Sequence, residues 1–551
     1  MCIHRQHMRP ISALLTVLLA TSTPFVRSQT YTQTWYGTGS SVEGISDVCF
    51  NSQGHVLAVI MFRQVAVFNG DTLPYAGHLY LTSISPLGDV EWITPVGHHT
   101  DWYNVEPSEI VLDEDDNIYF AGRYGTDAHV GDTVLTRNTE NNTFIAKFSS
   151  AGDLVWVRHV ASGLSTNGID RASNGDLVLG GWTRGSTMII GTDTVNILGN
   201  QGSDIVLVKL DANGDILWYD RAGGSGWYED YCDDVAFDPN GDILMTGWVR
   251  SDAYFDTIQL AAFSTNNNGF VAKYSSNGVA QWVTRTGYGP SSIGVDASGN
   301  CYVSGYTYTM GPLDLIISGN WEAWQFLSRL DTDGHVQWIV MPNDVNFGNS
   351  GDMFTDDMGN CWITGNHRDS LSLGPFIMTA PGMNSLLVFK ADANGTIEWM
   401  DLRGSTASTS TFRGTAIACD DSCRLIIGGR YGSSEPWWLG TNPLPITVGN
   451  DDAFIARMET CDLVTGTTPR PVAEEVAVFP DPTTDVLYIR TSTEISGTVQ
   501  VFDMLGRSVN VALRRAAGDR WEVDVSALSS GRYFVRMTTP AAIHCRTIQV
   551  R

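Results

Sequence analysis

Two acidic turns have residue types and spacing that match a known ligand chemistry. DANGD at 211–215 and DPNGD at 238–242 have the D-x-N-x-D opening of a calcium-binding loop. Both lack the distal Glu of such a loop and lie between predicted strands, so we predict that their carboxylates bond the backbone of their own turns. Calcium remains the one cofactor alternative, and no other cofactor or metal ion is predicted. The sequence contains no HExxH, GxSxG or Walker A motif, so no catalytic residue is predicted.

Aromatic pairs in segments between predicted strands are the candidate ligand-binding residues. Large rings on loops stack on sugars or anchor a protein partner. The alternative is that these rings cover small cores of their own loops. The candidate residues are Trp102, Tyr103, Trp227, Tyr228, Trp321, Trp324, Trp437 and Trp438.

The segments that carry these aromatic residues lie within a sequence repeat. The phrase DANGDILW at 211–218 returns as SSAGDLVW, SSNGVAQW, DTDGHVQW and ADANGTIEW. Its tryptophans recur about every 61 residues, and so do the glycines that end a second phrase, typified by VAFDPNGDILMTG. The tryptophans are Trp92, Trp156, Trp218, Trp282, Trp338 and Trp399, and the glycines are Gly122, Gly181, Gly247, Gly305, Gly365 and Gly429.

Each repeat contains four short β-strands, which we call A to D, and four strands at this period are typical of a propeller blade. The last repeat lacks a Trp strand, whereas QTWYGTG at 33–39 resembles a strand D without its repeat. We therefore predict an all-β, seven-bladed β-propeller over 29–464, whose last blade receives strand D from the N-terminus. The B–C connections are long and the A–B and C–D turns are tight, so we expect the B–C and D–A face to carry the binding site.

Smaller patterns complete the prediction for the repeats. A basic residue recurs in strand C, and we expect each to pair with an acidic neighbour. Cys301 and Cys361 replace apolar strand residues, which predicts buried thiols, and Cys419 and Cys423 are close enough in sequence to bridge a turn. The basic residues are Lys147, Lys209, Lys273, Arg329, Lys390 and Arg457.

The repeats resemble the bacterial β-propeller repeat (SBBP-type) family, whose pattern combines D-a-F-v-a-K-l with a later Trp and a D-…-G-N-…-G phrase. This resemblance covers most of residues 44–460 and implies the propeller architecture but no activity.

The N-terminus predicts export. Residues 1–28 combine a basic start, the apolar stretch ISALLTVLLATSTPFV and small residues at Val26 and Ser28, as in a signal peptide. We predict a mature chain that begins at Gln29 and has no membrane span. The net charge of the full sequence, −27, disfavours nucleic acid and anionic membranes and favours a neutral or cationic ligand.

The C-terminus predicts a second domain. An exposed linker at 465–475 precedes alternating apolar strands, which indicate a small Ig-like β-sandwich over 476–551. Its phrases resemble the type A C-terminal sorting domain of type IX (Por) secretion, although Asp replaces the usual Asn between the two prolines. The resemblance implies delivery by that machinery to the cell surface or medium of a Gram-negative bacterium. The residues that carry it are Pro480, Asp481, Pro482, Gly506, Arg507, Leu528, Gly531 and Tyr533.

Two functions remain open at this stage. The first is a non-enzymatic, surface-displayed or secreted propeller that binds a glycan or protein. The second is an extracellular glycan lyase or hydrolase with acids in the central channel. Converging acids and histidines in the channel favour the enzyme, and exposed aromatic rings without such acids favour the binding protein.

Overall fold

The computed structural model describes residues 30–551 apart from short internal segments. These segments are 40–43, 63–65, 74–77, 99–104, 137, 140, 199–201, 225–228, 263–266, 308–323, 343–348, 369, 381–383, 406–409, 421–423, 440–441, 448–450, 460–476, 480–482, 491–498, 504–507, 516–519 and 539–542. The predicted signal peptide and linker lie outside the described residues.

All regular structure in the described residues is β-strand, and the strands fall into seven repeating units followed by a C-terminal unit. β1 is Thr30–Gly39. Unit 1 holds β2 (Gly44–Phe50), β3 (Val56–Phe62), β4 (Ala66–Phe68), β5 (Asp71–Thr72), β6 (His78–Ile84) and β7 (Val90–His98). Unit 2 holds β8 (Val105–Leu112), β9 (Ile118–Tyr124), β10 (Ala128–Val130), β11 (Thr133–Leu135), β12 (Asn142–Phe148) and β13 (Leu154–Ser162). Unit 3 holds β14 (Leu164–Arg171), β15 (Leu177–Arg184), β16 (Thr187–Ile190), β17 (Asp193–Asn196), β18 (Ser203–Leu210) and β19 (Ile216–Ala222). Unit 4 holds β20 (Tyr231–Phe237), β21 (Ile243–Val249), β22 (Ala253–Phe255), β23 (Ile258–Leu260), β24 (Asn268–Tyr274) and β25 (Ala280–Arg285).

The remaining strands follow in the same order. Unit 5 holds β26 (Gly289–Val295), β27 (Cys301–Thr307), β28 (Trp324–Leu330) and β29 (Val336–Met341). Unit 6 holds β30 (Asn349–Thr355), β31 (Cys361–His367), β32 (Ser370–Leu373), β33 (Phe376–Thr379), β34 (Ser385–Ala391) and β35 (Ile397–Arg403). Unit 7 holds β36 (Thr411–Cys419), β37 (Arg424–Gly432), β38 (Trp437–Leu439), β39 (Asn442–Leu444) and β40 (Asp452–Glu459). The C-terminal unit holds β41 (Ala477–Phe479), β42 (Val486–Arg490), β43 (Gln500–Asp503), β44 (Ser508–Val509), β45 (Ala512–Arg515), β46 (Arg520–Asp524), β47 (Gly531–Thr538) and β48 (Ile543–Val550).

Each repeating unit is an antiparallel meander of four principal strands, as the repeat predicts. In unit 4, for example, strand A is β20, B is β21, C is β24 and D is β25, paired in that order. Strongly apolar strands alternate with turns whose glycines have positive φ, such as Gly241 at 80° and Gly278 at 82°. The A strands of successive units lie against each other, and β36 of unit 7 lies against β2 of unit 1, so the arrangement is propeller-like.

The N-terminal strand pairs where the sequence predicts. β1 is the fourth principal strand of unit 7, antiparallel to β40, with Trp35 opposite Ile455. The Trp35 indole N–H donates to the carbonyl of Gly88, in the C–D turn of unit 1, at 2.8 Å. Trp218 and Trp338 make the same bond to the C–D turn of their next unit, at 3.1 Å each. These tryptophans therefore link neighbouring units.

The long B–C connections contain structure that the sequence did not predict. Among the described residues, the connections of six units contain a short hairpin, and residues 308–323 of the unit 5 connection lie outside that part of the chain. In units 1 to 3 the hairpin pairs with the outermost strand of the preceding sheet. An uncovered outer strand exposes unpaired backbone groups. These connections therefore cover sheet edges as well as contributing to one face.

Two smaller predictions are confirmed in large part. Cys301 and Cys361 are fully buried. The strand C lysines form ion pairs, for example Lys147 with Asp113 at 2.8 Å, whereas Arg457 donates to Gln33 and to the carbonyl of Pro86. The other lysine pairs are Lys209 with Asp176, Lys273 with Asp238 and Lys390 with Glu398. Cys423, half of the suggested disulfide, lies outside the described residues.

The C-terminal unit contains two small sheets around an apolar core. Leu528 packs against this core, Gly531 begins β47, and the buried Tyr533 donates its hydroxyl to the carbonyl of Ser529 at 2.9 Å. β48 also pairs with β29, the outer strand of unit 5, and Phe502 packs into the core of that unit. The C-terminal unit is thus joined to unit 5 by strand addition. Pro480, Asp481, Pro482, Gly506 and Arg507 lie outside the described residues.

Candidate functional site

The structure describes few of the aromatic residues predicted from the loops. Trp437 is 3% exposed and packs against Phe412, Tyr431 and Phe454, with ring centroids 4.1, 6.1 and 5.6 Å away. This position does not fit the predicted stacking on a ligand; it fits the alternative, in which the ring fills the core of its own unit. Trp324 is the first residue of β28. The side chains of Trp324 and Trp438, and all of Trp102, Tyr103, Trp227, Tyr228 and Trp321, lie outside the described part of the chain.

The D-x-N-x-D turns are held by their own backbone. One oxygen of Asp211 accepts the N–H groups of Asn213 and Asp215 at 2.8 and 2.9 Å. Within the described residues, the one group of acids and histidine close enough to share a metal ion is Asp331, Asp333 and His335, at the equivalent turn of unit 5. Asp331 accepts the backbone N–H groups of both other residues at 3.1 and 2.8 Å, so turn geometry accounts for this group.

A ring of polar side chains joins the seven A strands around the centre. Asp47 of unit 1 accepts the N–H of Ile110 in unit 2 at 2.7 Å, and Asp234 of unit 4 accepts the N–H of Ile293 in unit 5 at 2.8 Å. Thr415 of unit 7 donates to the carbonyl of Ile45 and returns the ring to unit 1. The other links run from Glu109 to Ile169 N–H, from Asn167 to the carbonyl of Cys232, from Ser292 to Asp352, and from Asp352 to Ile417 N–H. We call these seven side chains the polar ring.

The four carboxyl groups of the polar ring lie near each other; Asp47 and Asp234 are buried, and Glu109 and Asp352 are partly exposed. Burial, followed by repulsion from Asp352, raises the pKa of Asp47 to about 8, although bonds from two backbone N–H groups favour its charged form. Burial and repulsion from Asp234, Asp47 and Asp352 raise the pKa of Glu109 well above its usual value. The pKa values of Asp234 and Asp352 are also raised, chiefly by burial. Protonated carboxyl groups therefore occur in this ring at neutral pH.

A cavity of about 730 Å³ lies between the polar ring and the A–B turns. Asp47, Glu109, Asp234 and Asp352 line it together with Asp170, whose pKa burial raises to about 6. None of the described residues that line it is a histidine. The acids predicted for an enzyme do converge, but the histidines do not.

The opposite end of the A strands bears seven equivalent residue pairs, which we call the rim. Each pair joins the start of strand A to the end of strand B, beside the B–C and D–A connections. The pairs are Gly44–Met61, Glu106–Arg123, Ser165–Trp182, Tyr231–Trp248, Gly289–Tyr306, Asn349–Asn366 and Arg413–Arg430. Although the units repeat, their rim residues differ in size, charge and aromatic character.

Three aromatic rings of the rim form a stack across two units. Trp182 of unit 3 and Tyr231 of unit 4 have centroids 4.7 Å apart, and Tyr231 and Trp248 are stacked at 4.6 Å and 24°. All three are partly exposed. The guanidinium of Arg250 lies 5.2 Å from the centroid of the Trp248 ring. Partly exposed aromatic rings can contact the apolar face of a sugar or a flat peptide group.

The sequence contains signals for both features. An acid directly precedes the apolar part of strand A in SDVCF, SEIVL, DDVAF and GDMFT, which places the four carboxyl groups of the polar ring. In units 2 to 7, the strand B member of each rim pair directly follows the repeated glycine. At Gly247, a Cβ would overlap the carbonyl oxygen of Tyr231, because strand A bulges against strand B there. The glycine that marks the repeat therefore also marks the rim.

The comparisons identify the C-terminal segment. Residues 477–551 match the family described as a secretion system C-terminal sorting domain. This match agrees with the predicted sandwich and indicates type IX secretion and a secreted or surface protein. A search of curated proteins finds no match to the chain. No helix in the described residues is long and apolar enough to span a membrane.

Solved structures resemble the chain only distantly. An ulvan lyase of a polysaccharide lyase family shares 11% identity at a TM-score of 0.39, over 71% of this chain and 92% of that one. A catalytically inactive virginiamycin B lyase from Staphylococcus aureus shares 11% identity at a TM-score of 0.33, over 76% and 99%. A gluconolactonase from Xanthomonas campestris shares 12% identity at a TM-score of 0.30, over 63% and 86%. These distant likenesses say nothing about the ligand or chemistry of this chain; what is identified is the sorting domain at its C-terminus.

Proposed function

We propose that the mature chain is an exported β-propeller that binds a glycan or a protein at its rim without catalysis. It is a closed seven-bladed propeller over 29–464, built from repeats similar to the bacterial β-propeller repeat family. The signal peptide 1–28 starts its export, and the domain at 476–551, after the linker 465–475, delivers it through type IX secretion. It acts in the medium or at the cell surface.

The aromatic stack of the rim carries the proposal. Trp182, Tyr231 and Trp248 are partly exposed on the face where the long connections emerge, and they are among the side chains in which otherwise similar units differ. Selection for packing alone favours the same residues in equivalent positions, whereas recognition of one asymmetric ligand favours different ones. The sequence predicted a binding site on this face but placed it on loop aromatics.

The polar ring supports binding rather than catalysis. A catalytic carboxyl group must reach the reacting atoms, whereas bonds to two units fix a carboxyl group in place between them. In each of Asp47, Asp234 and Asp352, one oxygen accepts a backbone N–H of the same strand and the other accepts one from the next unit. We therefore infer that these three carboxyl groups hold neighbouring units together.

An enzyme is the second candidate, and one observation favours it. Asp47 and Asp170 line the same polar cavity with pKa values of about 8 and about 6. Two carboxyl groups with separated pKa values can act as acid and base on a glycan. This role requires Asp47 and Asp170 to act while each also accepts two backbone N–H groups. In that case the cavity, and not the rim, is the functional site.

One experiment separates the two candidates. The purified mature chain is incubated with a panel of polysaccharides and peptides, and both retention and product are measured, the product as reducing ends or unsaturated sugar. We expect retention without product, and Trp248→Ala weakens it about tenfold or more, as for an aromatic hot spot. Tyr254→Ala, which removes an exposed ring on the β22–β23 hairpin, is the matched control and leaves retention unchanged. Product that forms with the wild type and is lost in Asp170→Asn would establish the enzyme instead.

A further inference from the structure

The rim of unit 7 carries two like charges in direct opposition. Arg413 on β36 and Arg430 on β37 are partners in the antiparallel register. Like charges directly opposite each other on a sheet destabilise it. At the same rim position in unit 2, Arg123 stands opposite Glu106, and the other five pairs contain no charged residue.

A third arginine adds to this charge. Partial burial lowers the pKa of Arg413 most, and repulsion from Arg430 lowers it further; Asp451 opposes this, and Arg368 of unit 6 adds a smaller lowering. The Nε of Arg368 donates to Asn384 at 3.2 Å. All three arginines are partly exposed. We call Arg368, Arg413 and Arg430 the arginine cluster.

Nearby acid compensates for this cluster only in part. Asp451 lies 3.8 Å from the Nε of Arg430, and its other oxygen accepts the hydroxyl of Thr411 at 2.8 Å. The Nε of Arg430 is buried without a hydrogen-bond partner among the described residues. Within that same part of the chain, the guanidinium of Arg413 makes no hydrogen bond or ion pair. A chain with 60 acidic and 33 basic residues therefore concentrates excess positive charge at one point of its rim.

We infer that the arginine cluster binds the acidic group of an anionic saccharide, a uronate carboxylate or a sulfate ester. This inference rests on the proposed function and names its ligand class. Guanidinium groups donate in a planar fork that matches both anions. The aromatic rings elsewhere on the same rim, in units 3 to 5, supply stacking surfaces for sugar rings.

The overall negative charge of the protein does not prevent this binding. At physiological ionic strength, charges more than about 8 Å apart are largely screened. An anion bound to Arg413 and Arg430 therefore responds mainly to the cluster. The bound anion also removes the repulsion between the two opposed guanidinium groups. This replaces the expectation of a neutral or cationic ligand, which considered the net charge alone.

The test uses the full mature chain and three oligosaccharides of equal length. These are an oligogalacturonate, a sulfated galactan fragment and a neutral galactan fragment, titrated by calorimetry at low and high salt. We expect at least one anionic saccharide to bind more tightly than the neutral one and to weaken with salt. Arg413→Gln and Arg430→Gln each weaken that binding tenfold or more. Arg158→Gln, which removes an exposed arginine from β13, is the matched control and leaves it unchanged.

The three saccharides distinguish a carboxylate from a sulfate ester as the bound group. The experiment also distinguishes failure of the anion-binding inference from failure of the proposed function. Tighter binding of the galacturonate assigns a carboxylate, and tighter binding of the sulfated fragment assigns a sulfate ester. Each Gln variant removes the repulsion between Arg413 and Arg430, so we expect its melting temperature to equal or exceed that of the wild type. A loss of binding in such a variant is then not caused by unfolding. Failure of both anionic saccharides to bind, or equal binding by the Gln variants, overturns the inference. If a neutral glycan or peptide then binds in a Trp248-dependent manner, the proposed function stands without it.

Discussion

The substitution Asp47→Asn should change how the stability of the protein depends on pH. Asp47 is 9% exposed, and its pKa in the folded chain is about 8, against 3.8 for an ordinary Asp. The folded state therefore holds this proton more tightly than the unfolded state. Its contribution to stability is fully present below about pH 4 and is lost as the pH rises through 8. Asp47→Asn removes the titrating group and its repulsion with Asp352.

The size of the effect follows from the pKa shift. Between the two pKa values, one group changes the free energy of unfolding by about 1.4 kcal/mol per pH unit. From pH 5 to pH 7.5, the wild type should therefore lose roughly 3 kcal/mol more than Asp47→Asn. At pH 5 the variant is the less stable protein, because its amide cannot accept both N–H groups that Asp47 accepts.

Denaturant unfolding followed by tryptophan fluorescence at the two pH values measures this difference. Asp153→Asn, which removes the same charge from an exposed C–D turn, is the control and should keep the wild-type pH dependence. Equal pH dependence in the wild type and Asp47→Asn would show that Asp47 does not hold a proton in the folded state.

Two other predictions concern Trp437 and the sorting domain. Trp437→Ala should lower the free energy of unfolding by about 3–5 kcal/mol, because the buried ring contacts Phe412 and Phe454. Ile377→Ala, at a side chain that is 71% exposed on the β32–β33 hairpin, should change it little, and equal effects would contradict the buried role of Trp437. A chain without residues 477–551 loses the contacts of β48 and Phe502 with unit 5, but it should still enter the periplasm of its native host and remain there, as fractionation can show. Normal appearance of the truncated chain in the medium or on the surface would reject the sorting role.

The sequence predicts the repeating units well, because each unit is specified locally. Glycines at turns, alternating apolar strand residues and the strand D tryptophan recur at one period, and each acts within its own unit or on the next one. The same reasoning places β1 beside β40, since Trp35 matches the other strand D tryptophans and the last repeat lacks one. The C-terminal sandwich is also recognisable from its short phrases.

The sequence does not reveal the candidate site as directly. The site depends on which residues of different strands and units lie opposite each other in the folded chain. Asp47 and Ile110 are far apart in the chain, and they meet only because strands A of neighbouring units converge. Arg413 and Arg430 form a cluster only through the register of β36 and β37. Trp437 shows a related difficulty. The sequence places it in a long connection, where an aromatic residue is expected to be exposed, but the connection folds into a hairpin and buries the ring in the core of unit 7. The pairing of β48 with β29 also could not be predicted, because neither strand carries a local sequence pattern that indicates the other as its partner.

The proposed closure of the ring rests on the pairing of β1 with β40. Hydrogen exchange on a chain that lacks residues 29–40 tests it most directly, with the intact mature chain as the reference. Without β1, strand β40 becomes the outer edge of unit 7 and loses the partner that pairs with it from Thr30 to Gly37. We predict that amides in 452–459 lose protection, while those of β24 in unit 4 change less. Unchanged protection in 452–459 would contradict the closed ring.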